Sequence, residues 1–575
     1  MRAEAFPLLI DLVGPGLPPA YVFFGAALLV LVLRSTGQQR AVNPILLLTP
    51  LIGFWNLTGL DTGVSSVWQL LDLELMQLRV DRLSLLFGVL FHIGALIGVI
   101  YALQVRDTLQ HVAALTYVGS ALGCVFAGDL VTLFICWEGM ALASAFLVWA
   151  RRTPAANGSG LRYLAMHLMS GLLLLAGTVL YAQERGTTSF DLIGTDAPGG
   201  WLILIAFGIK CGFPLLHTWI TDAYPRATAT GTVFLSMFTS KVAVYALARA
   251  YPGTEILIPI GTLMAVFPIF YAVIENDLRR VLGYSMINQI GFIVVGIGIG
   301  TELSLNGAVA HAFNEVLFKG LLFMTMGAVL LRVGHVLGSD LGGLYRSMPA
   351  TTTFCLIGAA SISAFPLFSG FVSKSMIMAA MVEHGYAWQW LALLFASAGV
   401  FHHAGIKIPY FAFFAHDSGL RVEEAPWNML LAMGLAALLC VVSGSFPAVL
   451  YALLPWEVEY VPYTYPHVVA QLQLLLFSAL AFAWLKLAHI YPAELRSVNL
   501  DADWIYRRLL PSVAAATTTA LTRLRRSGIG AVIDFGEQLA TYGERPSSRM
   551  RGTAAATLWV SGLLAGYLLM YFFIA

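Results

Sequence analysis

Three ionisable residues, His311, Glu315 and Lys319, stand at i, i+4 and i+8 in the run Leu305 to Leu331, which is otherwise apolar and long enough to cross a bilayer. In a helix they share one face. Each ionisable group at mid-membrane costs at least ~2.5 kcal/mol on insertion scales, so three in line point to a polar path inside a helical bundle. Taken alone, such a triplet fits either a proton relay or a buried polar knot that fastens helices together. Lysine usage adds to it. The chain has six lysines, Lys210, Lys241, Lys319, Lys374, Lys407 and Lys486, each within or at the edge of a segment expected to span the membrane, while the loops use arginine. Arginine stays charged at any physiological pH, whereas a lysine in a low-dielectric site can exchange protons near neutrality.

Two apolar segments should be interrupted in the same way. One reads FGIKCGFPLLHTW, with Lys210 before Pro214; the other reads SAFPLFSGFVSK, with Pro366 and Gly370 before Lys374. Proline removes a backbone hydrogen bond, so both helices should break and leave carbonyls that water can solvate. Paired interruptions are the sequence mark of repeated transporter halves that hold ion sites. In GDLVTLFICWEGMALASAFLVW, Glu138 lies well inside an apolar run, where a carboxylate needs either a proton or a cationic partner, and Lys210 is the natural candidate. Closing that pair would hold a proton on the lysine and opening it would release one; a static salt bridge is the alternative. Lys241, in FTSKVAVYALAR, continues the line toward His311, Glu315 and Lys319, with Lys374 as the terminal site and His217 as a residue that could load the path. Lys407 and Lys486, outside the repeats or near segment ends, are expected to snorkel and receive no transport role, and Asp129 reads as a helix cap.

The elements that must position these groups follow from composition. With 59% hydrophobic and 11% charged residues and a mean hydropathy of +0.80, the 575-residue chain reads as an all-α polytopic membrane protein. Windows of bilayer length give about sixteen transmembrane helices. The expected divisions are N-terminal helices 1–3 over 1–107, a first five-helix repeat over 108–254, a second over 255–416, helices 14–15 over 417–491, an amphipathic connection over 492–554 and a C-terminal anchor over 555–575. An odd offset of five helices would make the repeats inverted. Loops after odd-numbered segments hold most of the loop arginines, among them Arg34, Arg40, Arg151, Arg152, Arg279 and Arg280, which places them in the cytoplasm and both termini on the opposite side. Within the connection, Val513 to Arg526 and Ala531 to Glu544 read as short amphipathic helices, either a brace between neighbouring chains or a surface tether.

Other chemistries find no support. The net charge of +1 and the scattered basic residues argue against nucleic acid. The five cysteines lack metal or disulfide spacing, no nucleotide or flavin motif occurs, and no cofactor is expected. Met1 to Pro19 does not read as a signal peptide.

The strings WEGMALASAFLV, FGIKCGFPLLHTWITDAYPRA, TSKVAVYALAR, ENDLRRVLGYSMINQIGF, HAFNEVLFKGLLF and FPLFSGFVSK, in this order, resemble the antiporter-like proton-pumping subunits shared by Mrp-type cation/proton antiporters and respiratory complex I. The resemblance covers roughly residues 80 to 415. It implies a fourteen-helix core with two inverted five-helix repeats, broken helices 7 and 12, and a polar axis at mid-membrane. By motif, Glu138, Lys210, Lys241 and Lys374 match the family's helix 5 glutamate, helix 7 and helix 8 lysines and helix 12 terminal residue. His311 and Lys319 match the helix 11 motif, but Glu315 stands where many relatives have a second histidine, which would allow an ion-pair switch with Lys319 in place of a histidine relay. The C-terminal pattern resembles the long distal subunit of complex I, and the core strings the D-type subunit of Mrp antiporters. Such a subunit, in the bacterial inner membrane with other membrane subunits as partners, would move protons against sodium or another monovalent cation. Relatives instead attach to redox arms, hydrogenase-like modules or inorganic-carbon uptake modules. A membrane scaffold with polar fasteners is the non-transport alternative.

Overall fold

The computed structural model describes residues 17–526, except 71, 72, 493, 497 and 498, together with Leu564. Its helices are α1 (Pro19–Ser35), α2 (Val42–Leu57), α3 (Arg82–Ala102), α4 (Thr108–Phe126), α5 (Leu130–Trp149), α6 (Pro154–Arg185), α7 (Gly200–Cys211), α8 (Thr218–Ala223), α9 (Ala229–Met237), α10 (Thr239–Ala250), α11 (Leu257–Ile274), α12 (Leu278–Ile299), α13 (Glu302–Val333), α14 (Pro349–Ile362), α15 (Ser369–Glu383), α16 (Ala387–Val400), α17 (Trp427–Ser445), α18 (Pro447–Tyr451), α19 (Tyr465–Leu487) and α20 (Leu510–Arg526). Helices dominate because in hydrocarbon each backbone donor and acceptor must be satisfied within its own segment. Among the described residues eleven helices are long and apolar enough to cross a membrane, counting α9 with α10, and α16 with the π-helical turns that follow it, as single spans. The expected sixteen exceeds this number because α1, α2, α7 and α14 are shorter helices and the anchor over 555–575 lies, Leu564 apart, outside the described residues.

The chain divides into Met1–Asn499 and Leu500–Ala575. In the second unit α20 continues a π-helical turn, Ile505–Leu509, where the first amphipathic helix was expected; Ala531 to Glu544 lies outside the described residues.

The helical fold carries one small β element. Between α2 and α3 the chain forms an antiparallel hairpin of β1 (Gly63–Leu70) and β2 (Leu73–Val80), with Gly63 opposite Val80 and Val67 opposite Met76. In LELMQLRV, Leu75, Leu78 and Val80 are buried and Glu74 is exposed; Leu78 and Val80 share one face of the strand and Leu75 lies on the other, so β2 is covered in part on both faces. The hairpin is attached to the start of α5. Met76 N–H donates to Asp129 Oδ2 at 2.7 Å, Gly128 N–H donates to the Met76 carbonyl, and Arg79 pairs with Asp191 at 2.7 Å.

Two stretches share a frame. Helices α6 and α13 are each 32 residues long, and each ends on a left-handed glycine, Gly186 and Gly334, where only a residue without Cβ turns at no steric cost. The helices before them, α5 and α12, start on aspartate caps: Asp129 accepts from the Val131 and Thr132 amides, and Asp277 from those of Arg279 and Arg280. Each cap residue also forms an isolated bridge with the chain beyond its long helix, Asp129 with Ser189 and Asp277 with Leu337.

Both expected helix breaks occur, α7 to α8 and α14 to α15. Their turns have one backbone: Gly212-Phe213-Pro214-Leu215 and Ala364-Phe365-Pro366-Leu367 both begin and end in the left-handed region, with φ of 81° and 70° in the first and 58° and 74° in the second. A third interruption, at Phe238 between α9 and α10, has neither proline nor glycine to announce it. Beyond α16 the helix widens into π turns over Phe401–Lys407 and Tyr410–Phe414.

Candidate functional site

The interruptions set out the site, because each brings a lysine against backbone carbonyls. Lys210 lies in the last turn of α7, fully buried; its ammonium donates to the Trp137 carbonyl of α5 at 2.6 Å and sits 4.2 Å from the centre of the Trp137 ring. Lys241, three residues past the break at Phe238, donates to the Ser236 carbonyl, which the break frees, at 3.1 Å. Lys374 on α15 reaches back across its break to the carbonyl of Ile362, the last residue of α14, at 3.3 Å, and stands 4.9 Å from the Phe292 ring centre. Ile362 and Lys210 each stand two residues before the start of the matched turns, so Lys374 delivers its amine to the place in the second stretch that Lys210 holds in the first.

Two expected pairings differ. Glu138 is only partly buried; its Oε1 points at Gly171 of α6 without a hydrogen-bond partner, and Lys210 makes no ion pair with it. That pair is open. Glu315 pairs not with Lys319, its neighbour one turn along α13, but with Lys241 of α10: Glu315 Oε2 lies 2.9 Å from the ammonium, and both side chains are 0% exposed. The contact is ionic, since neither carboxylate oxygen meets a donor with hydrogen-bond geometry. Lys319 instead donates to Ser285 Oγ of α12 at 2.8 Å. A buried charge without its partner is expensive, and α10 is the element that brings one within reach.

His311 lies between α12 and α15, with Nε2 3.2 Å from Gln289 Oε1 and Nδ1 3.0 Å from Ser373 Oγ. A carboxamide oxygen only accepts, so Nε2 carries the proton in its contact with Gln289. His217 is the residue that begins α8, at the far end of the α7–α8 interruption, buried and 4.7 Å from the Phe267 ring centre.

Two features were not read from the sequence. His167 of α6 is fully buried between Tyr163 and Trp219, at 4.2 and 4.5 Å, and neither ring nitrogen has a partner. Counted from the starts of the two 32-residue helices, His167 and Glu315 occupy the same place, as do Gly171 and Lys319. Comparing the two glycine-ended runs would have exposed that correspondence. The second feature is Lys407, which does not snorkel. It is fully buried and pairs with Glu494 at 3.0 Å.

Between His167 and Lys241 lie hydroxyls. Tyr163 donates to Ser144 Oγ at 2.9 Å, and Tyr117 shares a 2.6 Å hydrogen bond with Thr239, the first residue of α10. Buried ionisable and hydroxyl groups thus run from α5 through α6, α7 and α10 to α13 and α15. Among the described residues no cluster of histidine, cysteine or carboxylate ligands suits a metal ion.

Interrupted helices with buried amines and carboxylates, in a chain with eleven helices long and apolar enough to cross a membrane among its described residues, define a polytopic helical membrane protein. Residues 127–401 match the family described as NADH:quinone oxidoreductase/Mrp antiporter, TM, and the chain is a homologue of the Mrp antiporter proteins of this family. It is 29% identical over 424 residues to the A-type Na(+)/H(+) antiporter protein of Alkalihalophilus pseudofirmus, covering 64% of this chain and 52% of that one. It is 26% identical to hydrogenase-4 component B of Escherichia coli, covering 64% and 62%. The matched stretch therefore spans little more than half the length of these curated relatives. The fold is that of a chain in the Mrp complex from Dietzia sp. (TM-score 0.67, 19% identity, 76% of this chain and 96% of that one) and of a chain in the archaeal membrane-bound sulfane sulfur reductase (TM-score 0.68, 23% identity, 76% and 95%).

Proposed function

We propose that this chain is the proton-conducting membrane subunit of a multisubunit cation/proton antiporter-like assembly, with sodium as the exchanged cation and other membrane subunits as partners. The observation that carries the reading is the Lys241–Glu315 pair, two fully buried charges from separate stretches of the chain, flanked by the fully buried amines Lys210 and Lys319. The relay consists of Glu138, Lys210, Lys241, His311, Glu315, Lys319 and Lys374, with His217 loading it and His167 linking Lys210 to the hydroxyls before Lys241. The open Glu138–Lys210 contact and the closed Lys241–Glu315 contact are the two positions of one kind of switch: a lysine beside a carboxylate keeps its proton, and a lysine left against neutral groups in an apolar site passes it on. The chain itself performs no redox reaction; it conducts. The likeness to hydrogenase-4 component B supports a second reading, the same relay driven by a redox arm.

Reconstitution tests the relay under either driver. Lys210→Ala should abolish proton movement in vesicles that hold the assembled complex; an undiminished rate would leave a scaffold with polar fasteners.

A further inference from the structure

Lys407 and the groups around it are buried and ionisable, yet the relay described above does not use them. The Lys407 ammonium donates to the carbonyls of Ala272, Val273 and Glu275, at 3.2, 2.6 and 2.7 Å, and meets Glu494 Oε1 at 3.0 Å. Glu494 comes from the segment after α19, its side chain is 5% exposed, and neither of its oxygens has a partner with hydrogen-bond geometry. In the π turn that carries Lys407, His403 is fully buried with both ring nitrogens unpartnered. The same turn packs on the α14–α15 break: a Cβ on Gly405 would lie 2.3 Å from Ser363 Oγ, one residue past the Ile362 carbonyl that receives Lys374. Single π turns recur at functional sites because the extra residue widens the backbone ring. The resemblance to Lys241 is close. Each lysine lies in or just past an irregular turn, binds carbonyls at a helix end or break, and meets one carboxylate from a distant element.

We propose that His403, Lys407 and Glu494 form a second access branch for protons, joining the Lys319–Lys374 end of the relay to the membrane face that carries residues 275–277, 494 and 499. Glu494 takes a proton from water, the neutral Lys407 amine accepts it, and one His403 ring nitrogen receives it while the other releases its own proton toward Lys319. Glu275 continues the branch outward: its Oε2 accepts from Asn499 at 3.1 Å and lies 3.4 Å from Arg280. Burial pushes the Glu494 carboxyl above the usual carboxylate range, against the pull of Lys407 and Lys486. The charged and titratable groups facing the branch are Glu275 and Arg280 beyond α11, Lys486 on α19, Tyr491 beyond it, His402 on the π turn and Lys319 on α13.

The inference rests on the proposed relay, and the test separates the two. In the reconstituted full complex, Lys407→Arg keeps a cation against the carbonyls but cannot give up its proton. It should lower proton transport about tenfold while the complex assembles. Glu494→Gln should do the same and remove the acid limb of the pH–rate profile, because uptake at Glu494 needs its carboxylate free. If Lys407→Arg fails to assemble, Glu494→Gln decides alone. Lys210→Ala is the control. If it stops transport while Glu494→Gln leaves rate and pH profile unchanged, Lys407 is a helix-end anchor and the branch is refuted; if Lys210→Ala also leaves transport intact, the relay itself is refuted.

Discussion

Helices α6 and α13 have the same length, the same glycine ending and the same relation to an aspartate-capped helix before them, yet they distribute charge differently. In α13 the ionisable groups at these places are its own, Glu315 and Lys319. In α6 the corresponding places hold His167, which is neutral or cationic but never anionic, and Gly171, which has no side chain. The room at Gly171 is filled from outside, by Glu138 of α5. One frame thus accepts an ionisable group at a given depth either from the helix itself or from a neighbour. The first stretch holds its carboxylate without an ion pair, and the second holds its carboxylate against Lys241.

The largest effect should come from breaking the closed pair. Lys241→Met or Glu315→Met alone strands a buried charge and should destabilise the protein by about 3–5 kcal/mol, whereas the double substitution should cost much less. Thermal unfolding of the purified protein, followed through tryptophan fluorescence, measures the difference, and equal losses in single and double variants would show that the charges do not depend on one another.

Next comes the vacant place in α6. A Cβ at Gly171 would lie 1.6 Å from Glu138 Oε1, so Gly171→Ala should drive the carboxylate away and slow transport about tenfold. Unchanged transport would mean that the position of Glu138 does not matter. His167→Gln should slow transport by less, because hydroxyls and water can bridge part of the gap. His311→Gln, which removes a histidine that already holds two partners, serves as its counterpart in the second stretch.

The caps should yield about 1 kcal/mol each. Asp129→Ala should cost more than Asp277→Ala, since Asp129 also holds the Met76 amide of the hairpin. The smallest effect is at the two turns. Leu215 and Leu367 are largely exposed and carry positive φ, so glycine at either should stabilise by no more than about 1 kcal/mol. A loss of stability on either change would mean that the exposed side chain matters more than its backbone.

What the sequence revealed and what it hid have physical reasons. Pro214 and Pro366 disclosed two breaks because proline acts on its own backbone. The break at Phe238 has no such residue and depends on packing around α10. The placing of Lys210, Lys241, Lys319 and Lys374 inside the bundle was legible from the cost of burying charge. Their partners were not. Spacing on one helix favoured Lys319 for Glu315, but Lys241 arrives from another element, and Lys407 meets a carboxylate far along the chain. The hairpin was hidden because the buried positions of its second strand, Leu75, Leu78 and Val80, do not keep the period of two that marks a strand.

Five of the six lysines are sealed inside the fold, and Lys486 is half-covered by Tyr410, Phe411 and Tyr491. The intact protein therefore offers acylating reagents and lysine-directed proteases little to attack. A reagent that modifies Lys241 or Lys407 would report a moment when the bundle opened, which turns the scarcity of amines into a built-in gauge of its breathing.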